Sequence, residues 1–192
     1  MVNHKENRSA WRRALLSLAL LVCPLVTGED RAMSEYQVKA AFLYNFTKFV
    51  SWPAAAFATT NAPFVLGIAG TDPFGKSLDE VVRNEMVENH PILVKRLRAG
   101  DDLGSCHMLF ISSSEKEWVE SMLAQLRRRP ILIVGDTAGF AARGVTVNLL
   151  LAQGSVKMEI NHKAAEQAGL EISSKMLGLA TIVESGSTPK AP

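Results

Sequence analysis

The sequence predicts an α/β protein: one three-layer domain whose mostly parallel sheet is flanked by helices and carries one antiparallel strand. Three observations carry this expectation. Short apolar runs, among them Phe64–Ala69, His107–Ile111 and Ile131–Val134, alternate with stretches of helical period. Two closely spaced apolar runs, Val145–Leu151 and Val156–Ile160, turn at Gln153-Gly154 and supply the antiparallel pairing. An aromatic-rich amphipathic segment, Tyr36–Pro53, opens the domain.

The residues before it read as a secretory leader. Lys5, Arg8, Arg12 and Arg13 form a positive start, and Ala14–Val26 forms an apolar core too short to span a bilayer comfortably. Cleavage is expected after Gly28, or as late as Ala32. The organisation is then a signal peptide over residues 1–28, a single α/β domain over 33–184, and a polar, flexible tail over 185–192. Of the 21 Lys and Arg and 19 Asp and Glu, residues 1–28 hold four cations and Glu6, which leaves 17 against 18. That near-neutral balance asks for no nucleic acid. Of the two cysteines, Cys23 leaves with the leader, so no disulfide can form within the mature chain and Cys106 stands alone.

Each element has a local reason. Ser34 offers a cap for a helix over Glu35–Val50, in which Val38, Phe42, Phe46 and Phe49 form the inward stripe and Lys39, Thr47 and Lys48 lie away from its centre. Trp52-Pro53 ends it, because proline disfavours helical geometry in the residue before it. After the strand Phe64–Ala69, Asp72 is placed as N-cap and Pro73 as the first residue of a second helix. Pro91 introduces a strand over Ile92–Leu97, and Asp101–Ser105 is a loop or short helix. Ser112–Ser114 caps a helix over Glu115–Arg128 with Trp118, Met122 and Leu126 on one face. Thr137–Gly144 is a glycine- and alanine-rich turn. Asn161 caps a short helix to Ala168, and Ser173 or Ser174 caps another to Ala180.

Motifs of known chemistry are missing or misplaced. Gly67–Gly75 lacks the lysine of a phosphate-cradling loop. Cys106 and His107 are adjacent on a strand and point to opposite faces, so they cannot act as a nucleophile and its base. No HxxxH or CxxC spacing offers a metal site, and no GxSxG elbow is present. Arg127-Arg128-Arg129 at a helix end complements the helix dipole, with a partner-facing patch as the alternative. No catalytic, cofactor-binding or metal residue is therefore assigned. The first helix is apolar around much of its circumference, since Tyr44, Asn45 and Lys48 do not share the Phe42–Phe46 face. It can serve both a core and an interface.

Several segments together carry a resemblance. VKAAFLYNFTKFVSWP (Val38–Pro53), LGIAGTDPFG (Leu66–Gly75), CHMLFIS (Cys106–Ser112), ILIVGD (Ile131–Asp136) and EINHKAAEQAGLEISSKMLGLA (Glu159–Ala180) resemble the YfiR-type periplasmic proteins. Within them Tyr44, Asn45, Lys48, Trp52, Asp72, Phe74, Gly75, Cys106, His107, Asn161, Ser173 and Ser174 stand as signature positions, most of them structural. The resemblance implies an exported, periplasmic, non-enzymatic α/β domain, often a homodimer, that needs no cofactor. It implies repression of an inner-membrane diguanylate cyclase, or a related sensor, through its periplasmic region, with relief by an outer-membrane lipoprotein. Cyclic-di-GMP output and biofilm formation would fall. The alternative is a periplasmic small-molecule module feeding another membrane sensor such as a histidine kinase. Two departures are visible. Cys106 has no partner in the mature chain, so control through an internal disulfide does not carry over. The Phe140–Leu149 stretch also lacks the glycine-rich, cysteine-bearing turn of the family.

Overall fold

The computed structural model describes residues 28–186, with side chains from Glu35 onward. Residues 1–27, which hold nearly all of the expected signal peptide and Cys23, and residues 187–192 of the expected tail lie outside the described residues. The chain divides into two compact units, Met1–Arg31 and Ala32–Pro192, and the fold below is that of the second. No helix among the described residues is long and apolar enough to cross a membrane.

In chain order the helices are α1 (Gly28–Phe49), α2 (Lys76–Val81), α3 (Val119–Gln125), α4 (Phe140–Arg143), α5 (His162–Gln167) and α6 (Ser174–Leu177). The strands are β1 (Val50–Ser51), β2 (Phe64–Ala69), β3 (Met86–Val87), β4 (His90–Leu97), β5 (Met108–Ile111), β6 (Leu132–Gly135), β7 (Val147–Ala152), β8 (Ser155–Ile160), β9 (Glu171–Ile172) and β10 (Thr181–Ile182). The main sheet has the order β10-β8-β7-β6-β5-β2-β4-β3. From β4 across to β7 all neighbours are parallel. β8 runs against β7, turning at Gln153-Gly154 as expected, and β3 runs against β4. A second, two-stranded sheet pairs β1 with β9.

Both faces of the sheet are covered, which makes the three layers. Phe64, Leu66 and Ile68 of β2 face one core with Leu43 and Phe46 of α1 and Leu78 of α2. Val65 and Ala69 face the other, with Val119 of α3 and Phe140 of α4. The period-two alternation of an all-apolar strand thus feeds two cores at once, the expected signature of a buried parallel strand.

Several expectations need correction. Ser34 does not cap α1, which continues back to Gly28 through Glu29–Met33, a segment with no Gly or Pro and only Asp30 as a weak helix former. The buried stripe of α1 is Lys39, Ala40, Leu43, Phe46 and Thr47, continued by Val50 of β1, while Val38 and Phe49 are exposed. A helix apolar on several faces leaves its rotation undetermined by hydrophobicity, and here a buried ion pair fixes it. Asp72 caps no helix. Its Oδ1 accepts from Phe74 N–H at 2.7 Å in a local turn, and α2 begins only at Lys76. Ser113–Glu115 is a 3₁₀ turn, so α3 starts at Val119 and Trp118 is 64% exposed. The late strand β10 was missed because Thr181-Ile182 is too short to show a period. Ser185, expected in the tail, accepts a 2.8 Å hydrogen bond from Asn161 Nδ2.

Candidate functional site

The signature residues Trp52 and His107 meet where α1 gives way to the loop before β2. The Trp52 indole N–H donates to the His107 carbonyl at 2.9 Å. His107 Nδ1 accepts from Val65 N–H at 3.0 Å, and Nε2 lies 3.2 Å from the Ala56 carbonyl. That pairing assigns the ring proton to Nε2. Phe57 stacks between His107 and His90, with centroids 4.5 and 3.8 Å away, and His90 Nδ1 sits 2.6 Å from the Ala62 carbonyl. Two histidines and an indole thereby pin the Pro53–Pro63 loop to the sheet. Burial lowers the His107 pKa below its usual 6.5, against the opposing pull of the Ala56 carbonyl. The unfolded chain then binds this proton more readily than the folded one. Stability contributed by neutral His107 is present above about pH 6.5 and is lost as pH falls through the folded value. Thermal melts should show Tm dropping as pH falls below about 6.5, with a smaller drop in His107→Gln.

Cys106 points the other way. It packs in the opposite core, and a Cβ built on Gly67 would stand 2.5 Å from its Sγ. Burial pushes the thiol up to about 11. A thiol that is buried and mostly protonated is a poor nucleophile. The native chain should therefore react with Ellman's reagent only after denaturant is added. Rapid native labelling would show that the β2–β5 seam opens.

A buried polar cluster lies beyond the carboxyl end of β6. Tyr36 Oη donates to Asp136 Oδ2 at 2.8 Å, and Lys39 Nζ donates to the same oxygen at 3.1 Å. The Lys39 and Asp136 side chains are each only 2% exposed. Glu35, one turn earlier, also reaches Lys39. Burial, then the Asp136 charge, raise the Tyr36 pKa, so the phenol stays a donor. Nearby, Asn148 on β7 donates to the Thr137 carbonyl at 2.9 Å and to Glu159 at 3.0 Å. The Tyr36 and Lys39 contacts tie α1 to the end of β6, and Asn148 ties β7 to β8 and to the turn after β6. Sequence reading missed Lys39, Asn148 and Glu159, and took Asp136 only as part of ILIVGD. The available signal was a lysine three residues after Tyr36, beside the apolar Ala40 and Leu43.

The remaining signature residues do not join these sites. Tyr44 donates to Glu85, and Lys48 Nζ sits 4.1 Å above the Tyr44 ring, while Asn45 is exposed. Asp72 also accepts from Arg96 at 2.9 Å, and Arg96 is forked onto Asp79. Arg96 in turn holds the Asp79 carboxyl below its ordinary range. Phe74 is buried edge-on against Phe110, and Gly75 adopts φ 55° beside it. Asn161 is fully buried. It donates to the Ala141 carbonyl and to Ser185, and caps α5 by accepting from Ala164 N–H at 3.0 Å. Ser173 caps α6, whose first residue is the exposed Ser174. No three His, Cys, Asp or Glu among the described residues converge as a metal site would need.

The structure is that of an α/β domain in which Asp72 closes a turn, Asn161 and Ser173 cap helices, and Trp52 and His107 pin one loop. The chain belongs to the YfiR/HmsC-like family, whose model matches residues 36–181. Comparison with curated proteins gives no match. Among solved structures, it is similar to a conserved domain protein from Vibrio cholerae O1 biovar El Tor, at 14% identity and TM-score 0.48, over 77% of this chain and 59% of that one. It is also similar to an ABC domain from Streptococcus pneumoniae in complex with L-Trp, at 11% identity and TM-score 0.46, over 80% and 60%. The chain therefore spans about three fifths of the length of each of these structures.

Proposed function

We propose that this chain is a periplasmic regulatory protein, not an enzyme. It binds the sensor region of an inner-membrane diguanylate cyclase and represses it, lowering cyclic-di-GMP and restraining biofilm formation. The observation that carries this reading is the family match across residues 36–181, which takes in nearly the whole folded domain. Residues 1–28 serve as the cleaved export signal. The outward side of α1 supports a protein partner: Val38 and Phe49 are 43% and 39% exposed beside Asn45 and Lys48. An apolar strip with a polar margin is the usual anatomy of a contact surface. A homodimer, and relief by an outer-membrane lipoprotein, belong to the same reading.

The test is intracellular cyclic-di-GMP in a deletion strain that expresses the cyclase. The level is expected to rise on deletion and to return to normal with the full-length chain but not with a leaderless one. An unchanged level would remove the repressor reading.

A further inference from the structure

We infer that the cavity beside the Arg127–Arg129 run is a binding site for a small organic polyanion, one carrying two or more carboxylate or phosphate groups beside an apolar part. The inference goes beyond the cyclase reading and does not depend on it.

The cavity has a volume of about 750 Å³ and lies where the end of α3, the start of β6, the end of α4 and α5 come together. That size is ordinary for a small-molecule site. Its floor is the rim of the second core, including Leu126 and Ile133. Its walls carry Arg127, Arg128, Arg129 and Arg143. Glu120 is the one carboxylate among the described lining residues, and it is engaged with Arg143 at 3.2 Å. Arg127, Arg128 and Arg129 make no ion pair among the described residues.

The dipole of α3 asks for modest positive charge within its last turn, but that turn ends at Gln125 and holds no cation. It does not explain Arg127 and Arg128 together beside one half-apolar cavity, beyond a helix of only seven residues; the Arg129 guanidinium packs against Gly104, next to Asp102. Arg128 adds a separate sign. Its φ is 60°, a backbone conformation that glycine or asparagine adopts at less cost. The chain carries an arginine at a position where the backbone favours something else. Guanidinium groups offer planar forks that match carboxylate and phosphate oxygens two at a time. The apolar floor suits the rest of an organic ligand, and the arginines suit its anionic head group.

The test uses the full chain, expressed with its leader and purified as the cell processes it. Citrate and pyrophosphate are titrated separately by calorimetry at matched ionic strength. Saturable binding tighter than about 1 mM by either probe is expected, and the better probe names the head group. Arg128→Gly and Arg127→Gln should each weaken it about tenfold, while Lys76→Gln, on an exposed lysine of α2 in the opposite layer, should leave it unchanged. Arg128→Gly suits the local φ, so its Tm should hold or rise, and Arg127→Gln provides the same readout without a backbone change. Absence of saturable binding by both probes, or equal weakening by Lys76→Gln, would overturn the assignment.

Discussion

Replacing Lys39 with alanine is expected to destabilise the domain by about 3–5 kcal/mol, because it strands a buried carboxylate. The Asp136 side chain is 2% exposed, and Lys39 supplies its only full positive charge among the described residues, Tyr36 giving one further hydrogen bond. The cost comes from the carboxylate left behind more than from the attraction removed. Urea unfolding of Lys39→Ala against the parent chain measures it. The pair Lys39→Met with Asp136→Leu removes both charges together and should recover most of the loss. A double variant as unstable as Lys39→Ala would show that packing, and not charge, fixes this helix.

Phe140→Ala should cost a similar amount, about 3–5 kcal/mol, for a different reason. Phe140 is fully buried in a one-turn helix held between Gly139 and Gly144, both at positive φ. Its ring lies so close to β6 that a Cβ on Gly135 would stand 2.5 Å from Cδ2. Truncation leaves a cavity that two stiff neighbours, a strand and a glycine-flanked turn, cannot collapse. Gly135→Ala alone should also destabilise, by roughly 1–3 kcal/mol through overpacking. The two changes should then compensate in part when combined, and full additivity in urea midpoints would contradict the close approach.

Much of the fold was legible because apolar runs bounded by turns mark buried strands. Phe64–Ala69 was placed at its observed bounds, and the β7–β8 turn at Gln153-Gly154 was read correctly. Asn161 caps its helix as predicted, and of the two serines offered for the next helix Ser173 is the cap, since a cap needs only local chemistry. What failed was rotation. Val38 and Phe49 of α1, and Trp118 before α3, were turned inward because hydrophobicity says that a residue is apolar, not which partner fixes its helix. The partner of Lys39 is Asp136, 97 residues on, and no local pattern announces it. Cys106 and His107 point to opposite faces, as adjacent strand positions predict. The hold of His107 on Val65 and Ala56 rests on backbone groups, which have no signature in sequence.

The anchoring of α1 also bears on the order in which the molecule assembles. Tyr36 lies 100 residues before its hydrogen-bond acceptor, and Phe49, at the helix end, accepts from Ser173 N–H. A chain delivered from its amino end releases this helix first and can secure it last. Loop closure over such distances is slow compared with forming a local helix. Until residue 136 is in place, Lys39 is solvated and the aromatic face of α1 has nothing to cover it. The period between release and closure is therefore when the chain is most exposed to aggregation and most in need of a holding chaperone.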